Sequence, residues 1–247
     1  MRSRSPSLGE ENIGIRRVSC GTLDALKNGM APQTPTFDLS QIWRDLVSGQ
    51  VTIVETFSSD ERNYLVLSLA PESRPRPKDA HFQWLELVLR GVPQKRVAMD
   101  AGFSLSSVAV ACREALAYLG VECRPSKAPA LLCLIAHAAH QPELGLNAWV
   151  CDVEHPSGPH RALSAPRLER RMTRRLPPAQ TAVLRLLLDG KSHVEIASER
   201  STSARTVANQ LAAVMSTLRV SGRMDVIRML TTMQCSGSVS GEGAGAA

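Results

Sequence analysis

The chain has few aromatic residues and no long hydrophobic run. Phe, Trp and Tyr make up 4% of its 247 residues, whereas Leu, Ala, Val and Arg are plentiful. This balance favours helices over a β-sandwich. The longest apolar run, Ala128–Ala139, is too short to cross a bilayer, and the N-terminus lacks the apolar core of a signal peptide. We therefore expect a cytoplasmic protein.

The sequence also lacks the motifs of an enzyme. It contains no glycine-rich phosphate loop, no nucleophile elbow and no strand-borne acidic pocket, so we expect no catalysis and no cofactor. The six cysteines have no paired spacing, which predicts reduced thiols packed as small hydrophobic residues. One group has the residue types of a zinc site: Cys133, His137, His140, Cys151 and His155. It has no Cys-x-x-Cys pair, and we expect ordinary core and surface residues there rather than a metal.

Composition divides the chain into five segments. We expect disorder in residues 1–38, with a short helix near Thr22–Lys27, and a flexible tail in residues 236–247. Between them we predict an N-terminal module (39–158), an Arg-rich linker (159–175) and a second helical domain (176–235).

The N-terminal module mixes helix and strand signals. A helix is predicted over Leu39–Leu46 with Ser40 as its N-cap. Residues 51–68 alternate β-forming side chains around a polar turn, which predicts a β-hairpin. Helices are predicted over residues 80–120 and 129–140, followed by an extended piece at 147–153.

Two stretches about a hundred residues apart resemble each other. An offset of 99 residues maps Leu85–Arg124 onto Leu184–Arg223 without a gap, and eleven of the 40 pairs are identical. The identities are mostly apolar positions and turn residues, the pattern expected when two segments share one helical packing. We predict two copies of one helical unit, the first at about residues 80–135.

The second copy has the local signals of a helix-turn-helix. Gly190 ends one helix, and Ser192 with Glu195 forms a capping box for the next. After a tight turn, Ser203 caps a longer helix over Ala204–Leu218. Its buried side is predicted to carry Val207, Leu211, Val214 and Leu218. In a helix-turn-helix, the second helix enters a DNA major groove with its N-terminal residues leading.

These residues resemble the LuxR-type DNA-binding domain of bacterial response regulators and quorum-sensing activators. The resemblance covers Leu176–Leu230 and rests on Leu176-Pro177, Gly190, Glu195-Ile196-Ala197, Ser203, Thr206-Val207, Asn209, Leu218, Val220 and Arg223. It implies four helices, of which the third enters the groove and the fourth dimerises. It also implies phosphate contacts at Thr206 and Gln210, with Arg205, Ala208 and Asn209 nearest the bases.

The chain departs from the family pattern at four places. Gln180-Thr181 replaces Arg-Glu, Ala208 replaces Lys, Gln210 replaces His and Ser201 replaces the turn glycine. The missing lysine removes one charge-assisted phosphate contact. The remaining Asn and Arg side chains still have the chemistry to bond an adenine and a guanine edge.

We predict DNA contacts at ten residues: Ser203, Arg205, Thr206, Ala208, Asn209, Gln210, Arg223, Arg171, Arg174 and Arg175. Arg223 either supports the fourth helix or binds a phosphate. Residues 160–232 contain 13 Lys and Arg against 5 Asp and Glu, whereas residues 80–140 contain 6 against 4. Much of the positive charge in residues 160–232 comes from six arginines: Arg161, Arg167, Arg170, Arg171, Arg174 and Arg175. We expect these arginines either to contact phosphates or a minor groove, or to lie on a solvated linker helix.

The first copy keeps the scaffold and loses the polar contacts. It retains a turn glycine, Gly102, and a capping serine, Ser104. Val110 and Ala111 stand where the second copy has Asn209 and Gln210. Such a face favours packing or protein binding, with thymine methyl contacts as the alternative.

The predicted fold is therefore mainly α with a small β-hairpin and two helix-turn-helix units in tandem, the C-terminal one a four-helix LuxR-type domain. The predicted function is a bacterial, nucleoid-associated regulator of transcription that binds double-stranded DNA as a homodimer or as an internal pseudo-dimer. Two alternatives stay open. One is a sigma-factor-like promoter-recognition protein. The other is an adaptor that does not bind DNA but binds another transcription protein through the first copy.

Overall fold

The structure, a computed structural model, describes residues 19–22, 39–69, 74–141, 148–155, 158–172 and 175–236. Within these ranges no helix is both long enough and apolar enough to cross a membrane. The described helices are α1 (Leu39–Ser48), α2 (Asp79–Leu89), α3 (Gln94–Ala101), α4 (Leu105–Tyr118), α5 (Ala130–Ala138), α6 (Pro178–Leu188), α7 (His193–Glu199), α8 (Ala204–Leu218) and α9 (Arg223–Ser236). The strands are β1 (Ser19–Thr22), β2 (Thr52–Ser58), β3 (Arg62–Ser68), β4 (Trp149–His155) and β5 (Gly158–Pro166), and two 3-10 turns span Pro125–Lys127 and Leu168–Met172.

Helix α5 lies at the centre of the molecule. Its sequence, ALLCLIAHA, is apolar on every side, and all of its residues are buried. A helix of this kind must be covered all round. It packs against α1, α2, strand β3 and α9, so one continuous core joins the N-terminal and C-terminal halves of the chain.

The predicted hairpin is present as β2 and β3, but it belongs to a larger sheet. The five strands lie in the order β1-β4-β5-β3-β2, with β1 parallel to β4 and the other neighbours antiparallel. One face of the sheet packs on the helical core. The other carries a smaller aromatic cluster in which the Tyr64 and Trp149 rings meet edge to face at 5.9 Å.

The Arg-rich segment is not the predicted linker. Residues 158–166 form β5, which pairs with both β3 and β4, and residues 168–172 form a 3-10 turn. The predicted disorder of residues 1–38 is also wrong at Ser19–Thr22, which form strand β1 beside β4. The rest of that segment, including the predicted helix near Thr22–Lys27, lies outside the described residues, as does the tail from residue 237 onwards.

Two smaller expectations have different outcomes. Helix α1 begins at Leu39, so Ser40 lies inside its first turn and is buried rather than acting as the N-cap. The cysteines whose side chains are described are free thiols, as predicted: Cys112, Cys123, Cys133 and Cys151. Burial raises the pKa of Cys112 and of Cys133 to about 11, which keeps both protonated at neutral pH.

Candidate nucleic-acid interface

The C-terminal helices are bounded by the signals that the sequence carries. Helix α6 ends at a left-handed glycine, Gly190, whose φ is 85°. Ser192 and Glu195 then form the predicted capping box at the start of α7. Hydrogen bonds from Ser192 hold the pKa of Glu195 at about 2, and Lys127 adds a 3.5 Å ion pair. The carboxylate therefore stays charged at the positive end of α7.

Helix α8 begins and packs as predicted. The Ser203 hydroxyl caps it by accepting a hydrogen bond from the Thr206 amide at 3.0 Å. Val207, Leu211, Val214 and Leu218 are its buried residues, so one stripe faces the core. Val207 and Leu211 form a small buried cluster with Ile196 and Ala197 of α7, whereas Val214 and Leu218 belong to the large core. The opposite side of α8 is left facing outwards.

The exposed side of α8 presents Arg205 and Asn209 one helical turn apart. Both side chains are exposed, as is Thr206, whose hydroxyl lies 2.9 Å from that of Ser203. Within the described residues Arg205 has no ion-pair partner. Ala208 is half-buried. Gln210 is also half-buried, and its side-chain oxygen is enclosed without a hydrogen-bond partner among the described residues.

Three described arginines of the Arg-rich segment 159–175 form ion pairs with acidic side chains. Arg161 pairs with Asp152 across β4 and β5 at 3.0 Å, and Arg170 pairs with Glu61 at 2.8 Å. Arg167 is buried between the carboxylates of Glu169 and Asp189. Those carboxylates outweigh the effect of burial and raise the pKa of Arg167. Arg167 is therefore enclosed and does not face DNA, and none of the three lies on a linker helix, since Arg161 is in β5 and Arg170 is in the 3-10 turn.

Of the remaining arginines of that segment, only Arg175 has a described side chain. Arg175 is exposed beside the start of α6. Arg171 lies in the 3-10 turn at Leu168–Met172, but its side chain is outside the described atoms, and Arg174 is outside the described residues altogether. The structure thus brings Arg175 to the same helical domain as α8 and leaves the other two predicted contacts as predictions.

Arg223 supports the fold from inside. Its guanidinium donates hydrogen bonds to the carbonyls of Leu187 and Leu188 at 2.8 and 2.7 Å, at the end of α6. It also donates to the carbonyls of Ser126 and Ala128. Burial lowers its pKa. Because its donors are used inside the protein, Arg223 takes the supporting role and not the phosphate contact that the sequence also allowed.

Ion pairs that the sequence did not indicate fasten this domain to the sheet. Arg185 of α6 binds Asp60, in the turn between β2 and β3, at 2.6 Å. Arg167 binds Asp189 at 2.9 Å and also donates to the Ser59 carbonyl. The partners are separated by as many as 125 residues, so no local spacing signals them. These contacts fix α6 to the sheet, while α8 faces outwards.

Four residues of the group with zinc-ligand chemistry have described side chains (Cys133, His137, His140 and Cys151), and these do not converge. His137 is buried in α5 and bonds the Cys133 carbonyl at 2.8 Å through Nδ1, while His140 pairs with Glu86. Cys151 lies in the separate cluster on the far face of the sheet. In the part of the chain that is described, no three His, Cys, Asp or Glu side chains are placed to hold a metal ion.

The earlier stretch of the repeat has matching geometry. Adding 99 to the bounds of α2 gives those of α6, and the same offset places the starts of α3 and α4 on the starts of α7 and α8. Ser104 caps α4 as Ser203 caps α8. The left-handed residues also match, with glycine at each first-copy position: Gly91 with Gly190, Gly102 with Ser201, and Gly120 with Arg219.

The two stretches touch each other reciprocally. Gly91 lies against α9, where an added Cβ would come 3.5 Å from the Met224 carbonyl oxygen. Its match Gly190 lies against the 3-10 turn after α4, where an added Cβ would come 2.6 Å from the Lys127 carbonyl oxygen. Helices α5 and α9, which follow the two stretches, also pack together. Under the same offset Met224 matches Pro125, so the two glycine contacts are equivalent to within two residues.

Helices α7 and α8, joined by a tight turn and packed on α6, form a helix-turn-helix in which the capped helix α8 faces outwards. This is the arrangement of a class of DNA-binding domains. Residues 175–230 match the family model described as bacterial regulatory proteins, luxR family. The predicted LuxR-type domain is thereby confirmed for the second stretch, and the first copy stays a prediction. No curated protein and no solved structure gives a significant match. The family acts by binding DNA rather than by catalysis.

The turn between α7 and α8 offers a stability test. Ser201 has a φ of 49°, a left-handed conformation that costs most residues about 1–2 kcal/mol. We expect Ser201→Gly to raise the free energy of unfolding by about 0.5–1 kcal/mol, since part of the gain is offset by chain entropy. Gly102→Ser, at the matching turn, should lower the free energy of unfolding by a similar amount, because Gly102 has a left-handed φ of 71°. No described atom lies within 4 Å of an added Cβ there, so no steric clash adds to that cost. Urea unfolding measures both, and a loss of stability in Ser201→Gly would contradict the explanation.

Proposed function

We propose that this protein regulates transcription by binding a specific double-stranded DNA sequence through α8. The observation that carries the proposal is the outward face of α8, where Arg205 and Asn209 are exposed one turn apart and Arg205 has no acidic partner among the described residues. Arginine can bond a guanine edge and asparagine an adenine edge, each through two hydrogen bonds. The luxR-family match supports DNA-binding regulation in general.

The neighbouring side chains fit supporting contacts. Thr206 and Ser203 place hydroxyls at the N-terminal end of α8, where the helix dipole also favours a phosphate. Ala208 is half-exposed and small enough to meet a thymine methyl group. Arg175 adds positive charge at the start of α6. Gln210, with its enclosed oxygen, has only its amide nitrogen left to donate to a phosphate.

A DNA selection tests this proposal. The purified full chain should enrich one sequence from a random duplex library, and its affinity should fall steeply as salt is raised, because phosphate contacts release counterions. The enriched sequence should survive the higher salt concentrations. A flat response with no enriched sequence at any salt concentration would contradict sequence-specific regulation.

We further propose that the two copies of the repeat form an internal pseudo-dimer. The support is the matched helix bounds, the matched left-handed residues and the reciprocal contacts of Gly91 and Gly190. In the family, the fourth helix dimerises with a second chain. Here Val226, Ile227 and Leu230 of α9 are fully buried in this chain's own core beside α5. The first copy then occupies the place of a second subunit.

Oligomeric state tests the pseudo-dimer. Because the described apolar side of α9 is already covered, we expect a monomer of 26.7 kDa. Multi-angle light scattering on the free protein and on its DNA complex measures this directly. A stable homodimer joined through residues 222–233 would show that α9 leaves the core and would overturn the proposal.

A protein-binding role for the first copy is the second candidate. Helix α4 and the turn before it expose large apolar side chains, with Phe103, Leu105 and Val110 exposed by 56%, 51% and 42%. An apolar face of this kind suits a protein partner better than base edges. If the chain is an adaptor and not a DNA reader, replacing Val110 should impair function more than replacing Arg205 and Asn209.

A further inference from the structure

A cavity of about 710 Å³ lies between the two copies of the repeat. Its lining comes from α2 and the α2–α3 loop, from α4 and the residues after it, and from the connection between α8 and α9. Much of the lining is apolar, from Val88, Val92, Pro93, Ala109, Pro125 and Met224. Its volume lies within the range of small-molecule sites, about 300–1,000 Å³.

Two arginines that line this cavity are exposed and have no side-chain partner in the part of the chain that the structure describes. The side chains of Arg113, on α4, and Arg124, just before the 3-10 turn, form no hydrogen bond or ion pair with the described residues. The third lining arginine, Arg223, is fully engaged by carbonyl groups. The lining contains one acid, Asp225, which already accepts from the Ser221 amide and from Arg228. The cavity therefore combines an apolar wall with two uncompensated positive charges.

We propose that this cavity binds a small organic anion, with an apolar body and one acidic group such as a carboxylate or a phosphate. The apolar body would fill the space beside Val88 and Met224, and the acidic group would accept hydrogen bonds from Arg113 and Arg124. A DNA backbone is the other partner for two free arginines. It would leave the apolar wall unused, which is why we favour a small anion.

A ligand in this cavity would contact both copies of the repeat. Arg113 and Arg124 belong to the first copy, whereas Met224 belongs to the helix that follows the second. A ligand held by both sides stabilises the folded arrangement in which α5 and α9 pack together. The site goes beyond the proposed DNA binding and does not depend on it, since the cavity and its charges are present whether or not α8 reads bases.

Octanoate is a suitable probe, because it has an apolar chain and a single carboxylate. Calorimetric titration of the full chain should give one site per protein, with tighter binding than for octanol, which lacks the charge, or inorganic phosphate, which lacks the chain. Arg113→Gln and Arg124→Gln should each weaken octanoate binding about tenfold. In the unaltered protein, the NMR signals of the Ala109 and Met224 methyl groups should shift on addition of octanoate.

Lys95→Gln is the matched control. Lys95 is an exposed cation on α3 that does not line the cavity, so its loss should leave octanoate binding unchanged. Equal binding of octanoate and octanol, or equal weakening by all three substitutions, would overturn the proposal. So would failure of octanoate to bind together with a loss of DNA affinity in the two arginine variants, because the arginines would then serve a DNA backbone.

Discussion

Replacing Arg205 and Asn209 together by alanine is expected to abolish specific retention on DNA. In the proposed complex each side chain makes a two-hydrogen-bond contact with a base, and each such contact contributes about 1–3 kcal/mol of discrimination. Losing both should lower affinity for the selected sequence by roughly 100-fold or more, while affinity for random DNA falls far less. Fluorescence anisotropy with a selected and a scrambled duplex separates the two effects. Both residues are exposed, so folding should be unaffected.

The repeat supplies a matched control at the equivalent helix positions. Ser106 and Val110 lie 99 residues before Arg205 and Asn209 and are exposed on α4. Ser106→Ala with Val110→Ala should leave specific DNA affinity within about twofold, if base reading belongs to α8 alone. If this control variant loses DNA affinity as severely as the α8 variant, the first copy also reads DNA. If only the control loses activity in cells, the adaptor interpretation is favoured.

Replacing Arg223 by alanine is expected to destabilise the whole chain by about 3–5 kcal/mol. Removal of a buried charge leaves carbonyls of both α6 and the segment Ser126–Ala128 without their donor, and each unsatisfied group costs about 1–3 kcal/mol. Because the guanidinium joins the two copies, urea unfolding should remain one transition at lower urea. The stability of Arg223→Lys should lie between those of the unaltered protein and Arg223→Ala, since one ammonium cannot reach carbonyls on both sides.

Arg228 of the same helix is the control for Arg223. Its side chain is 58% exposed and pairs with Asp225, so Arg228→Ala should cost no more than about 1 kcal/mol. DNA binding distinguishes support from phosphate contact. In folded Arg223→Ala at low temperature, the salt dependence of DNA affinity should be unchanged, because no phosphate contact is removed. A shallower salt dependence would place Arg223 on the DNA.

The sequence alone determined the helix-turn-helix in nearly full detail. The capping box at Ser192 and Glu195, the Ser203 cap and the buried stripe of α8 were all predicted and are all present. Each of these features depends on contacts within about one or two helical turns, so the residues that decide them are close in sequence. The luxR-family match covers the same segment for the same reason.

The tertiary structure alone decided where the rest of the charge and the strands lie. The sequence predicts an Arg-rich linker where β5 lies, because the Ala and Ser residues of β5 have weak β-propensity and its partner β3 lies about 100 residues away. The sequence leaves Arg167 open between DNA-facing charge and a solvated linker helix, and Arg223 open between a phosphate contact and support of the fourth helix. Both are enclosed by groups that folding brings from distant segments. Local patterns encode caps, turns and faces, whereas the neutralisation of a charge depends on long-range contacts that no spacing in the chain reveals.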